Sequence, residues 1–144
     1  MKLQLDAASG EYQIRAYTRD AVTVNDRVLR QSFVVMPDVL ISDWPPRHFD
    51  ELSAGHFDQI AALQPQLVIL GSGAVTRFPN TSIVAPLLAR RIGFESMDTA
   101  SACRCYSVLA AEGRRVAAAL LIIAPERQLS GNSDSTEKPP RSRI

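Results

Sequence analysis

Few residues in this sequence are of the kinds that staple small domains or bind metal ions. The 144 residues include two cysteines and two histidines, and 6% are aromatic. Cys103 and Cys105 lie two apart within a helical pattern, so their side chains would point about 200° apart on one helix. Such a helix can neither join them in a disulfide nor direct both to one metal ion. We therefore expect two reduced thiols in a cytoplasmic protein, with no metal site and no cofactor.

An excess of charge of one sign and long hydrophobic runs are also lacking. Sixteen Lys and Arg residues against fifteen Asp and Glu residues give a net charge of +1, too little to gather nucleic acid or anionic lipid. Residues 1–6 turn polar too soon for the apolar core of a secretory signal. The longest apolar run, residues 116–124, falls far short of the roughly 20 residues that span a bilayer. Neither a nucleic-acid partner nor an integral membrane segment is expected.

The composition that is present is that of one globular domain. Values of 46% hydrophobic and 22% charged residues are ordinary for a folded soluble domain, and a chain of this length can bury about two-thirds of its unfolded surface. From residue 126 onward large apolar residues are nearly absent, so this segment cannot offset the entropy cost of ordering. We expect a single α/β domain over residues 1–125 and a flexible tail over residues 126–144.

The first forty residues are typical of β-structure. Residues 12–17 alternate between apolar and polar, and residues 22–24 lead through a turn signal at positions 25–26 into an apolar run over residues 28–36. This pattern predicts a β-hairpin or short meander. Two prolines at positions 45 and 46 then stop the strand pattern, because neither can donate to a ladder. Helical periodicity follows, with Gly55 expected to separate two short helices.

The C-terminal half alternates strands and helices. We expect strands at residues 67–70, 94–97 and 115–123, and helices at 83–92 and from Asp98 or Thr99 to Gly113. Pro86 should restrict the first of these helices to a late start, because only the first turn tolerates a missing N–H. The whole order predicts a three-layer α/β domain in which helices pack on a central sheet that is mixed and largely parallel.

Glycines at the end of one predicted strand form the clearest candidate site. Gly71-Ser72-Gly73 follows a buried strand, and ligands of α/β proteins collect at the carboxyl ends of strands. Free backbone N–H groups there, with Arg77 nearby, would accept a phosphate or a carboxylate. The segment matches no established phosphate-binding motif, however, and a structural turn is the alternative.

A second strand end extends this candidate site. Asp98 and Thr99 would share the same edge if the two strands are parallel neighbours, and Arg104 lies one turn further on. The candidate ligand-binding residues are therefore Gly71, Ser72, Gly73, Arg77, Asp98, Thr99 and Arg104. Capping of the helix by Asp98 or Thr99 is the alternative, and it explains both residues without a ligand.

The other residues with chemical potential also have structural interpretations. Cys103 lies near a helix N-terminus, which favours a reactive thiol, but it falls on the apolar stripe with Tyr106 and is expected to be a buried apolar residue. His48 and His56 have no metal-ligand spacing and are expected on the surface. Trp44 is expected to cover the sheet, with an anchoring role at an interface as the alternative. We predict no catalytic residues.

Several segments resemble a known family. They are Gly71-Ser72-Gly73, Arg77-Phe78-Pro79 and residues 91–99, 102–109 and 112–118. They are similar to the small domain-of-unknown-function family that includes the mitochondrial complex I assembly factor three and its bacterial and archaeal relatives. The similarity runs from about Leu5 to Pro125, and the segment from Met97 to Arg115 is its most specific part. Cys105 stands where relatives commonly carry threonine, and the tail is not part of the domain.

The resemblance implies a three-layer α/β domain without established catalytic activity. It also implies action through protein partners, as the eukaryotic relative acts during assembly of the respiratory NADH dehydrogenase. We therefore hypothesise a non-catalytic binding or assembly module, monomeric or weakly dimeric, whose partner is another protein. The competing hypothesis is a small-molecule or anion-binding protein, with or without a catalysed reaction, that uses the two strand ends.

Overall fold

A computed structural model describes residues 11–122 of the chain. The predicted flexible tail, residues 126–144, and the predicted polar N-terminus, residues 1–6, lie outside the described residues. Within the described range the chain contains eight strands, three α-helices and one short 3₁₀ helix at Phe49–Glu51. No helix in this range is long and apolar enough to cross a membrane.

The first three strands form a small antiparallel sheet. They are β1 (Ile14–Tyr17), β2 (Val22–Val24) and β3 (Arg27–Leu29), arranged in the order β1-β2-β3. Asn25 takes a φ of 54° in the turn between β2 and β3, a conformation that asparagine tolerates better than most residues. The predicted meander and its turn signal are confirmed.

The central sheet has five strands. They are β4 (Phe33–Met36), β5 (Val39–Ile41), β6 (Leu67–Gly71), β7 (Gly93–Met97) and β8 (Val116–Leu120), in the order β5-β4-β8-β6-β7. The β6–β7 and β6–β8 pairs are parallel, and the β4–β5 and β4–β8 pairs are antiparallel. The predicted mixed sheet is confirmed, with its parallel part confined to the C-terminal half.

The apolar run at residues 28–36 is shared between the two sheets rather than forming one strand. β3 ends at Leu29 in the small sheet, and β4 begins at Phe33 in the central sheet. Between them Ser32, a buried residue, accepts a hydrogen bond from the N–H of Ile122 at the end of the central sheet (3.2 Å). The side chain of Ser32 thus connects the segment between β3 and β4 to the end of the central sheet.

The helices are α1 (Ala54–Ala61), α2 (Thr81–Ala89) and α3 (Thr99–Ala111). The prediction that Pro86 lies in the first turn of its helix is wrong, because α2 begins at Thr81 and Pro86 is its sixth residue. Asn80 starts the helix early: its side chain accepts from the N–H of Ser82 at 2.9 Å. Gly55 also lies inside α1 rather than between two helices.

Three layers result from these elements. Helices α1 and α2 pack on one face of the central sheet, where Phe57 and Leu87 meet Val68 and Leu70. Helix α3 and the small sheet pack on the other face, where Tyr106 is fully buried in the second core. The predicted three-layer arrangement is confirmed. All five residues of the middle strand β8 are fully buried, and three of them are alanines, so both layers approach the sheet closely.

Trp44 and His56 cover the hydrophobic core between the central sheet and helices α1 and α2, near the start of α1. Trp44 is 2% exposed and meets His56 edge to face, with ring centroids 5.9 Å apart. The role of Trp44 as a cover for the sheet is confirmed. His56 is half-buried rather than a surface residue, and its Nδ1 accepts a hydrogen bond from the backbone N–H of Ser53 at 3.1 Å. Its partial burial lowers its pKa from the ordinary value of 6.5, against the opposing effect of Glu51.

This environment makes stability depend on the protonation of His56. The pKa of His56 is lower in the folded chain than in the unfolded chain, so the stabilisation is present above pH 6.5 and is lost as the pH falls through the folded pKa. His56→Gln retains an acceptor for the Ser53 N–H without titrating. Urea unfolding from pH 8 to pH 5 should show wild type losing stability relative to H56Q, with exposed His48→Gln as the matched control. A constant difference between wild type and H56Q across this range would contradict the assignment.

Candidate functional site

The ends of strands β6, β7 and β8 form one rim at the edge of the central sheet. Gly71, the last residue of β6, lies opposite Met97 of β7 and Leu120 of β8 in the parallel register. The premise that the two strand ends lie side by side is therefore confirmed. We use the name rim for residues 71–73, 97–99 and 120–121.

Gly71 is a glycine because helix α3 begins directly against it. A Cβ at this position would lie 3.0 Å from Thr99 Cα and 2.8 Å from a methyl carbon of Leu120. The first contact involves backbone, which cannot move aside without shifting the helix. Close packing between strand and helix thus accounts for this glycine without a ligand.

Thr99 ties the rim together. Its Oγ1 accepts from the N–H of Gly73 at 2.9 Å and donates to the carbonyl of Leu121 at 2.8 Å, while its own N–H donates to the carbonyl of Gly73 at 2.9 Å. Gly73 has a φ of 106°, which favours glycine. One threonine therefore fixes the segments that follow β6 and β8 to the start of α3.

Ser72 organises the loop that follows. It is 2% exposed, and its N–H donates to the carbonyl of Met97 at 2.8 Å. Its Oγ donates to the carbonyl of Val75 at 2.7 Å and accepts from the N–H of Arg77 at 3.0 Å. The hydroxyl of Ser72 thus folds residues 72–77 into a compact turn, a role that fits the structural alternative for this segment.

Asp98 caps helix α3. Its carboxylate accepts from the backbone N–H of Ser101 at 3.0 Å and from the hydroxyl of Ser101 at 2.7 Å. These hydrogen bonds from Ser101 hold the pKa of Asp98 below its ordinary value. The backbone N–H of Asp98 donates to Oγ1 of Thr76 at 3.2 Å. The capping alternative is confirmed for Asp98.

The two arginines point to opposite faces of the sheet. Arg77 pairs with Asp50 at 3.3 Å and lies 4.3 Å above the ring of Phe49, on the side of α1 and α2. Arg104 donates to the hydroxyl of Tyr17 at 2.8 Å, on the side of the small sheet. The structure thus brings together Gly71, Ser72, Gly73, Asp98 and Thr99, and it directs both guanidinium groups away from one another.

The chemistry available at the rim is limited. The N–H groups of Ser72, Gly73, Arg77 and Thr99 all donate to oxygen atoms of the protein, so an incoming anion would have to displace these bonds. Cys103 is completely buried, and this burial raises the pKa of its thiol to about 12, which removes the thiolate that nucleophilic chemistry needs. In residues 11–122 no three or more His, Cys, Asp and Glu side chains are grouped to hold a metal ion.

Sequence reasoning missed the most exposed apolar residues of this region. Phe78 is 74% exposed and Val75 is 63% exposed, and both belong to the loop of residues 72–79 that leaves the rim. The backbone of this loop is held by Ser72, by Thr76 and by the hydroxyl of Ser96, which donates to the carbonyl of Arg77. The signal that would have found it is an aromatic residue between Arg77 and Pro79 in a segment too polar and too short to be a strand.

A sequence model of the family described as "Protein of unknown function (DUF498/DUF598)" matches residues 14–121. The chain belongs to this DUF498/DUF598 family. The match covers the described domain almost completely; it starts nine residues later and ends four residues earlier than the resemblance estimated from the sequence. Rim residues 71–73 and 97–99 lie inside it.

The chain is also similar to individual proteins and solved structures. An assembly factor from Danio rerio, named NADH dehydrogenase [ubiquinone] 1 alpha subcomplex assembly factor 3, is 27% identical over 83% of this chain and 68% of its own length. A Xanthomonas campestris protein solved by NMR is 41% identical, with a TM-score of 0.74 over 83% of this chain and 91% of the other. A crystal structure from Bordetella parapertussis is 32% identical, with a TM-score of 0.75 over 81% of this chain and 99% of the other.

The contact at Gly71 gives a direct test of this site. Gly71→Ala forces a methyl group against the backbone of Thr99, and we expect it to lower the free energy of unfolding by about 1–3 kcal/mol. Gly55→Ala is the matched control, because a Cβ there meets only Ser53 Oγ at 3.7 Å and alanine in a helix stabilises by up to about 1 kcal/mol. Urea denaturation measures both variants. Equal stability of G71A and wild type would contradict the close approach of α3 to β6.

Proposed function

We propose that this chain is a non-catalytic protein-binding module that acts in the cytoplasm during assembly of a multisubunit complex. The respiratory NADH dehydrogenase is the candidate complex, because relatives over most of this chain are named for its assembly. The observation that carries the proposal is Phe78, a large aromatic side chain that is 74% exposed on a loop held by hydrogen bonds. We expect the free chain to be a monomer or a weak dimer.

A loop that is already held in place loses little conformational entropy when it binds a partner. Ordering a mobile side chain at an interface costs about 0.5–1.5 kcal/mol, and a loop already held in place avoids part of this cost. Aromatic anchors also carry much of the energy of protein interfaces. Phe78, with Val75 three residues before it, therefore supplies an apolar anchor on a preformed surface.

The alternative function, binding of an anion or a small molecule at the rim, has weaker support. Its donors already bond to protein oxygen atoms. Arg77 contacts Asp50 on one side of the sheet, whereas Arg104 contacts Tyr17 and the hydroxyl of Ser101 on the other, so the two guanidinium groups do not face the rim together. A ligand would have to break the contacts of Thr99 and Ser72 that hold the loop in place.

Substitution of Phe78 tests the proposal. We expect Phe78→Ala to weaken capture of the partner by at least tenfold, because truncation of an aromatic anchor typically costs about 2 kcal/mol or more. Val108→Ala is the matched control, because Val108 is 57% exposed on α3. Helix α3 lies on the opposite face of the sheet from Phe49, which contacts Arg77, the residue before Phe78. Both variants should unfold like wild type. The measurement is quantitative affinity capture of the tagged full-length chain from its source organism, together with the amount of assembled NADH dehydrogenase in a deletion strain that carries each variant.

Two results would count against this function. One is equal capture of all proteins by wild type, F78A and V108A. The other is an unchanged amount of NADH dehydrogenase in the deletion strain, which would remove the link to respiratory assembly. A rise in the melting temperature with inorganic phosphate, abolished by Thr99→Val, would favour the anion-binding alternative instead.

A further inference from the structure

Strand β7 has one open edge. It is the outermost strand of the central sheet and pairs only with β6 within residues 11–122. The N–H of Gly93 donates to the carbonyl of Gln66 at 3.2 Å, and the carbonyl of Met97 accepts from the N–H of Ser72 at 2.8 Å. Hydrogen-bonding groups alternate in direction along a strand, so Gly93, Glu95 and Met97 face β6. The N–H and C=O groups of Phe94 and Ser96 therefore face outward.

The loop from the rim limits this open edge. The next outward N–H, that of Asp98, donates to Thr76 Oγ1 at 3.2 Å, and the side chain of Ser96 donates to the carbonyl of Arg77. Residues 76–77 thus lie beside the end of β7, and Phe78 is the next residue along the chain. Two N–H groups and two C=O groups, on Phe94 and Ser96, have no hydrogen-bond partner in the described part of the chain.

We infer that the open edge of β7 binds an extended segment of a partner protein, which adds to the sheet as a sixth strand beside Phe78. This inference rests on the proposed function and names its mode of recognition. Outward N–H and C=O groups at strand spacing are matched by another extended backbone, which satisfies all four at once. The exposed ring of Phe78 then supplies a side-chain contact at the end of the same segment.

The charge of Glu95 argues against a second copy of this chain as the strand that pairs with β7. A two-fold antiparallel pairing that uses all four outward groups sets Phe94 against Ser96 of the copy and Glu95 against its own equivalent. That central pair is not hydrogen-bonded, so its Cα atoms lie only about 4.5 Å apart and its side chains are close. Glu95 is exposed, and like charges directly opposite each other destabilise a sheet. A segment from another protein avoids this repulsion and, with Lys or Arg opposite Glu95, gains an attraction.

Ser96→Pro separates this inference from general damage to the sheet. The N–H of Ser96 points outward, so proline removes an edge donor without removing a bond to β6, and proline is tolerated on edge strands. Ser96→Ala is the matched control, because it also loses the contact with Arg77 but keeps the N–H. Using the partner captured through Phe78, we expect at least a tenfold loss of affinity for S96P and less than a threefold loss for S96A. We also expect Glu95→Lys to weaken binding by at least tenfold.

Amide hydrogen exchange in the wild-type complex gives an independent readout. The N–H groups of Phe94 and Ser96 should exchange at least tenfold more slowly in the complex than in the free full-length chain, while those of β8 change little. If S96P does not fold, the exchange rates of the wild-type chain, free and in the complex, test the inference on their own. Unchanged exchange would overturn the inference, as would equal affinity of S96P and S96A.

The other occupants give distinct outcomes. Slow exchange of Phe94 and Ser96 already in the free monomer would mean that the chain covers its own edge, and dimerisation of the wild-type chain with protection of the same amides would mean that a second copy does. Either result overturns the inference. A partner that needs Phe78 but is indifferent to S96P leaves the proposed function standing and removes only the added strand. If wild type retains no partner, both fail together.

Discussion

The approach of helix α3 to the end of strand β6 is the constraint on which the rim depends. Only a residue without a side chain allows Thr99 to come this close to Gly71, and only at this distance can Thr99 Oγ1 bond both the segment after β6 and the segment after β8. Ser72 then starts its turn from a fixed position. The consequence is a strand-end edge whose polar groups are mostly satisfied by one another. The rim lies where α/β proteins often bind ligands, but its hydrogen bonds connect the strand ends to helix α3.

These hydrogen bonds explain why apolar residues nearby can remain exposed to solvent. In the loop of residues 72–79, the hydroxyl of Ser72 donates to the carbonyl of Val75, and Oγ1 of Thr76 accepts from the backbone N–H of Asp98. The hydroxyl of Ser96 donates to the carbonyl of Arg77, whose side chain contacts Phe49 and Asp50. Such a loop does not need to bury its own aromatic side chain to keep its shape. Phe78 thus remains exposed to solvent on a loop whose shape is held by its own hydrogen bonds.

Much of the C-terminal half was predictable because its signals are local. The buried strand before Gly71, the cap at Asp98 and the apolar stripe of α3 each follow from the spacing of a few neighbouring residues. The division of residues 28–36 between two sheets was not predictable, since the break depends on Ser32 meeting Ile122, 90 positions away. The direction of Arg77 depends in the same way on Asp50. Local capping by Asn80 also outweighed the preference of proline for the first turn of α2.

The position of β8 in the sheet has a consequence for biosynthesis. This strand comes last among the described strands, yet it lies between β4 and β6. Until the ribosome has released it, the antiparallel pair of β4 and β5 has no link to the parallel pair of β6 and β7, and the apolar faces of both pairs stay open to solvent. The nascent chain therefore gains little from folding early, and its greatest exposure to chaperones and proteases falls shortly before synthesis of the domain is complete.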